Sequence, residues 1–109
     1  MSRIAVITHP ACRRHEMGSE HPESPERLDV ISDRLLASSL DLEVRQLQAR
    51  GAQRQDYLRV HSERLVHEVE QRIPDIGYAD LDGDTRLCPQ TLHAIERAVG
   101  AGLTAVDEI

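Results

Sequence analysis

The 109-residue chain contains no lysine, no phenylalanine and no tryptophan. Its 13 basic residues are all arginines, set against 19 acidic ones, and the net charge is −6. Arginines dispersed along an acidic chain make no phosphate-binding footprint, so direct nucleic-acid binding is not expected. The acidic balance favours a cationic ligand such as a polyamine or a lysine-bearing peptide, and it serves ordinary solubility equally well. Aromatic residues are limited to Tyr57 and Tyr78. Aromatic rings supply much of a core's buried area, so this core must be built from Leu, Ile, Val and Ala. Such a core reads as part of a larger one. The two cysteines, Cys12 and Cys88, lie far apart with no CxxC and no secretory signal. That excludes a disulfide framework and fits a reducing cytoplasm. Long hydrophobic runs are also missing. Ile4 to Ile7 is too short for a signal sequence or a membrane span. At this length the chain is at most one small domain, and it shows no internal repeat.

What is present reads as an α/β pattern. Arg3 to Thr8 is a β-branched apolar run, expected as a strand buried on both faces of a parallel sheet. His9-Pro10 ends it, and a polar loop follows from Ala11 to Glu20. Ser24 is placed to cap a helix over Pro25 to Ala37, with Pro25 at its first position and Glu26 in its first turn. Leu28, Ile31 and Leu35 form the apolar stripe of that helix. Leu42 to Leu47 alternates with period two and predicts a second strand with one wetter face. Short helical patterns follow over Gln53 to Val60 and over Glu63 to Arg72, the latter capped by Ser62. Pro74 to Pro89 reads as a long special loop, and Gln90 to Ile109 as a final helix. Gly100 and Gly102 inside that helix point to close packing against another element. Two strands cannot shield each other on both faces, so this order opens an α/β sheet without finishing it.

The stretch His21-Pro22-Glu23-Ser24-Pro25-Glu26-Arg27-Leu28 is a stiff loop running into a helix. Pro22 and Pro25 fix the backbone there, and His21 is expected to fix the loop with them. This stretch resembles the opening of the histone deacetylase superfamily, which includes acetoin-utilisation proteins and acetylpolyamine amidohydrolases. Leu58-Arg59-Val60-His61-Ser62 and Leu81-Asp82-Gly83-Asp84-Thr85, followed by Pro89 and the Ala98-Val99-Gly100-Ala101-Gly102 helix, resemble the same family in the same order. The resemblance spans nearly the whole chain.

The resemblance implies the N-terminal part of a three-layer, arginase-like α/β fold with a parallel sheet, helix-rich in this segment. Residues 1–109 would then be an incomplete N-terminal segment of one deacetylase domain. It places Arg27 in an internal channel beneath the active site. By residue type alone, Arg27 serves equally as a tie between loop and helix. It places Asp84, with Asp82 second, on a rim loop that accepts hydrogen bonds from substrate, a task suited to a carboxylate. Asp-Gly-Asp-Thr is also a self-capping turn sequence. A calcium loop is excluded, because position twelve counted from Asp80 is Thr91.

The implied chemistry is hydrolysis of an N-acetyl amide of acetyl-lysine or an acetylated polyamine by zinc-bound water. Zinc would be held by two aspartates and a histidine, with a tandem histidine pair for acid–base work. This chain has no His-His pair and no Asp-x-His. No histidine pair has the His-x-x-x-His spacing of a helical zinc site, and His61 reads as a packed helix-junction residue. Cys12 beside His9 and His15 is too weak a pattern for a nucleophile. No catalytic residue, no metal ligand and no cofactor are therefore expected in this chain alone, and no membrane partner. The second expectation is a non-catalytic remnant or interaction module that associates with itself or with a larger protein.

Overall fold

The computed structural model describes residues 4–109. Its elements are β1 (Ala5–Thr8), α1 (Glu26–Ala37), β2 (Arg45–Gln48), α2 (Arg54–Tyr57), α3 (Glu63–Arg72), β3 (Ala79–Asp80), β4 (Arg86–Leu87) and α4 (Thr91–Glu108). Single 3-10 turns span Pro10–Arg14 and Leu40–Glu43.

β1 and β2 pair in parallel, Ala5 opposite Arg45 through Thr8 opposite Gln48, with α1 in the crossover. This is an α/β unit. α4 packs across β1 and the Pro10–Arg14 turn. The chain after β2 is strapped to α4: Arg97 Nη1 donates to the Ala49 carbonyl at 3.0 Å, and Ala52 N donates to the Glu96 carbonyl at 3.1 Å. β3 and β4 form a small antiparallel hairpin.

The expected first strand begins at Ala5, and Arg3 lies outside the described residues. It is not covered on both faces: Val6 and Ile7 are half-buried and Ile4 is exposed. A two-stranded sheet has too little width to cover both faces, and no residue of α1 is buried against it. The second strand is shifted from the expected Leu42–Leu47 to Arg45–Gln48. Its start is set by Arg45 N donating to the Ile4 carbonyl at 2.9 Å, and Leu40–Glu43 turns before it, entered through Ser39 at φ 60°. Pairing, not alternation, chose the register.

Ser24 does not cap α1 with its side chain. Pro25 is already helical at φ −60° and ψ −28°, and the amides of Arg27 and Leu28 are taken by the carbonyls of Ser24 and Pro25. α2 is shorter than the expected Gln53–Val60. It is fixed by a reciprocal cap between Gln53 and Asp56. α3 matches its expected span, with the Ser62 hydroxyl accepting from Leu65 N at 3.1 Å. The stretch expected as a long special loop, Pro74 to Pro89, holds the β3–β4 hairpin. α4 keeps its expected length to within a residue at each end.

The buried set is Ala11, Met17, Ala49, Ala52, Val66, Leu87, Cys88, Ala94 and Thr91. Of the expected Leu, Ile, Val and Ala, alanine dominates, and Met17, Cys88 and Thr91 join it. Large aliphatics such as Val30, Ile31, Leu36 and Leu42 lie exposed.

Candidate functional site

Two segments meet beyond the end of β1: the first loop, residues 15–25, and the β3–β4 hairpin. A loop leaving a strand end is a common position for function. Gly18 turns the first loop at φ 100°, and His21 N donates back to its carbonyl at 3.2 Å. Three side-chain contacts then join loop and hairpin. The Tyr78 hydroxyl donates to Glu16 Oε1, which raises the Tyr78 pKa above its ordinary value. Arg86 N donates to Met17 Sδ at 3.3 Å. His21 Nε2 lies 3.0 Å from the Asp84 carbonyl and 3.2 Å from Asp84 Oδ1. Arg86 also pairs with Asp80 and lies over the Tyr78 ring, 6.0 Å from its centroid. A cleft of about 700 Å³ opens between the segments, lined among others by Glu16, Glu20, His21, Glu26, Tyr78 and Arg86.

The hairpin turn separates its two aspartates. Asp82 Oδ1 accepts from Asp84 N and from Thr85 N, each at 2.8 Å. These backbone donors, that of Asp84 foremost, hold the Asp82 carboxyl below the usual range. Asp82 is therefore committed to its own turn. Asp84 is 95% exposed, and among the described residues its carboxylate meets only His21 Nε2. Arg27, the second residue of α1, is exposed and pairs with Glu23 four residues back. Among the described residues it stands outside any enclosed channel. Pro22 precedes this pair and Pro25 lies between its two members at the loop-to-helix passage.

His15 and Thr91 form a junction that the residue pattern did not single out. His15 Nδ1 lies 2.8 Å from Thr91 Oγ1, which also accepts from Cys88 N at 2.8 Å. Thr91 is 3% exposed. Burial pushes the His15 imidazole below 6.5, against the pull of Glu23 and Glu16. The available signal was a lone threonine at the start of an apolar helix, three residues after a cysteine. His61 was expected to be packed at a helix junction. It is exposed, in the turn between α2 and α3, where it borders an open apolar cavity together with Leu65 and Val66. Burial raises the Cys12 thiol pKa, the reverse of what an activated nucleophile needs.

Among the described residues no three His, Cys, Asp or Glu side chains converge as a metal would need. The described residues of this chain thus do not by themselves form a site for the zinc that the resemblance implies. Among the same residues no helix is long and apolar enough to cross a membrane.

The chain is 30% identical over 109 residues to the uncharacterized protein slr0245 of Synechocystis, covering 97% of this chain and 36% of that protein. Its fold is similar to the crystal structure of the HDA15 HD domain, with a TM-score of 0.76 at 22% identity, over 93% of this chain and 30% of that one. The chain therefore spans about a third of the length of each. The histone deacetylase domain family matches residues 21–109, from the His21 loop through α4. The chain belongs to the histone deacetylase family.

Proposed function

We propose that this chain forms the substrate-rim part of a single deacetylase domain that hydrolyses N-acetyl amides, of acetyl-lysine or an acetylated polyamine. The observation that carries this is the division of labour in the hairpin turn. Asp82 is consumed by backbone donors, while Asp84 presents a nearly fully exposed carboxylate against His21, which itself lines the cleft. A carboxylate in that position can accept two N–H donors of a substrate at once. The surrounding Glu16, Glu20 and Glu26 favour a cationic substrate, which suits a lysine-bearing peptide or a polyamine. Arg27 is the channel residue of this reading. Its Glu23 partner is what a guanidinium requires when further polypeptide covers it. Zinc and cytoplasmic location belong to the same proposal, and rest on the family and on the cysteine usage.

The test is deacetylation by the full-length native polypeptide, followed on an acetyl-lysine peptide and an N-acetylated polyamine. Asp84→Asn should raise KM about tenfold with kcat held, as expected for a charge-assisted contact made equally in ground and transition states. Asp82→Asn should instead loosen the turn, read as faster amide exchange at Asp84 and Thr85. An unchanged KM in the Asp84 variant refutes the rim assignment. Absence of turnover on both substrates favours the second reading, an interaction module. That reading draws on the exposed Val30, Ile31 and Leu36 of α1 and is checked by sedimentation for self-association.

A further inference from the structure

His21 is 19% exposed, while the residue it touches, Asp84, is 95% exposed. The imidazole has its two nitrogens committed differently. Glu23 N, a backbone donor, reaches Nδ1 at 3.0 Å, so Nδ1 must offer its lone pair. In the neutral ring the proton then sits on Nε2. Nε2 faces two acceptors of one residue, the Asp84 carbonyl at 3.0 Å and Asp84 Oδ1 at 3.2 Å. The tautomer is thus fixed from the loop side and spent on the hairpin side. Asp84 Oδ2 accepts no hydrogen bond from any described residue.

From this geometry we infer that His21 is a positioning residue for Asp84: its Nε2–H holds Oδ1 and the turn carbonyl, leaving Oδ2 aimed outward for substrate. The inference rests on the reading of Asp84 as a substrate-rim carboxylate. A free carboxylate on an exposed turn surrenders rotamer freedom when a ligand binds, and one already held does not. The Asp82 bonds fix the turn's backbone but do not reach the Asp84 side chain. Pro22 follows His21 directly and removes backbone freedom at the ring's own base. The first loop therefore sets the orientation of a group that the hairpin carries.

The experiment uses the full-length polypeptide and an acetyl-lysine peptide. His21→Asn keeps an acceptor near the Nδ1 position and loses the reach to Asp84. His21→Gln keeps a donor near the Nε2 position. His21→Asn should raise KM by about the same factor as Asp84→Asn, roughly tenfold, with kcat held, and the double variant should show no further rise. His21→Gln should restore most of the loss. If Asp84→Asn raises KM and His21→Asn does not, the positioning role is overturned while the rim assignment stands. If Asp84→Asn leaves KM unchanged, the rim assignment fails and takes the positioning role with it. A fall in kcat and melting temperature together in His21→Asn, with no rescue by Gln, assigns His21 a purely structural role and overturns the inference. Nitrogen-15 shifts of the wild-type ring provide a reading that needs no variant. A bare Nδ1 and a protonated Nε2 are expected, and the opposite tautomer refutes the argument.

Discussion

Gly100 of α4 lies directly against the backbone carbonyl of Arg50, so that a Cβ at position 100 would overlap that carbonyl. Gly102, two residues on, has no described atom beyond its chain neighbours and its own helix backbone within 4 Å of where its Cβ would stand. The two glycines that look alike in the sequence therefore have opposite reasons to be there. Gly100→Ala should destabilise the protein by about 1–3 kcal/mol, because backbone cannot swing aside as a side chain can. Gly102→Ala should stabilise it by up to about 1 kcal/mol, the helix-propensity gain alone. Thermal or denaturant melts of the two variants check both signs, and equal effects would contradict the close approach at Gly100.

Thr91 should be the most sensitive polar residue of the core. Its hydroxyl serves Cys88 N and His15 Nδ1 in a buried setting. Thr91→Val keeps the shape and orphans both partners, at an expected cost of about 1–3 kcal/mol. Thr91→Ser should recover most of it. Equal stability of the Val variant and the wild type would show that these bonds contribute nothing.

His15 predicts a pH dependence of stability with a definite sign. Its folded pKa lies below the unfolded value because burial disfavours the imidazolium. Below about 6.5 the unfolded chain takes up a proton that the folded chain resists, so stability is full above that pH and falls through the folded pKa as pH drops. His15→Gln removes the titrating group and should flatten this part of the slope. Denaturant midpoints measured across the window decide it, and an unchanged slope in the variant would exclude His15 as its source.

Much of this fold was legible from residues with a local physical meaning. Ser62 caps α3 as its position implied, and the three-and-four spacing of Leu92, Ile95, Val99 and Leu103 marked α4. Leu42 to Leu47 misled, because period-two alternation describes a strand without saying which residues find a partner. Ile4 supplied the carbonyl that moved the start to Arg45. Ser24 likewise had the right chemistry for a cap, but Pro25 had already begun the turn.

The sequence by itself determined the helices, the stiff Pro22–Pro25 passage and the family, since these follow from backbone restriction, side-chain periodicity and short motifs. The resemblance ranked Asp84 ahead of Asp82, but residue type alone gave no physical reason for that order. Asp82 turns onto its own backbone, as the local Asp-Gly-Asp-Thr pattern allowed, but only the tertiary structure set Asp84 against His21 from a distant loop. The same holds for His15 and Thr91, and for Gly100 and Arg50. Each of these pairs joins residues far apart in the chain, and spacing within a segment carries no information about which distant group will arrive at hydrogen-bonding or van der Waals distance.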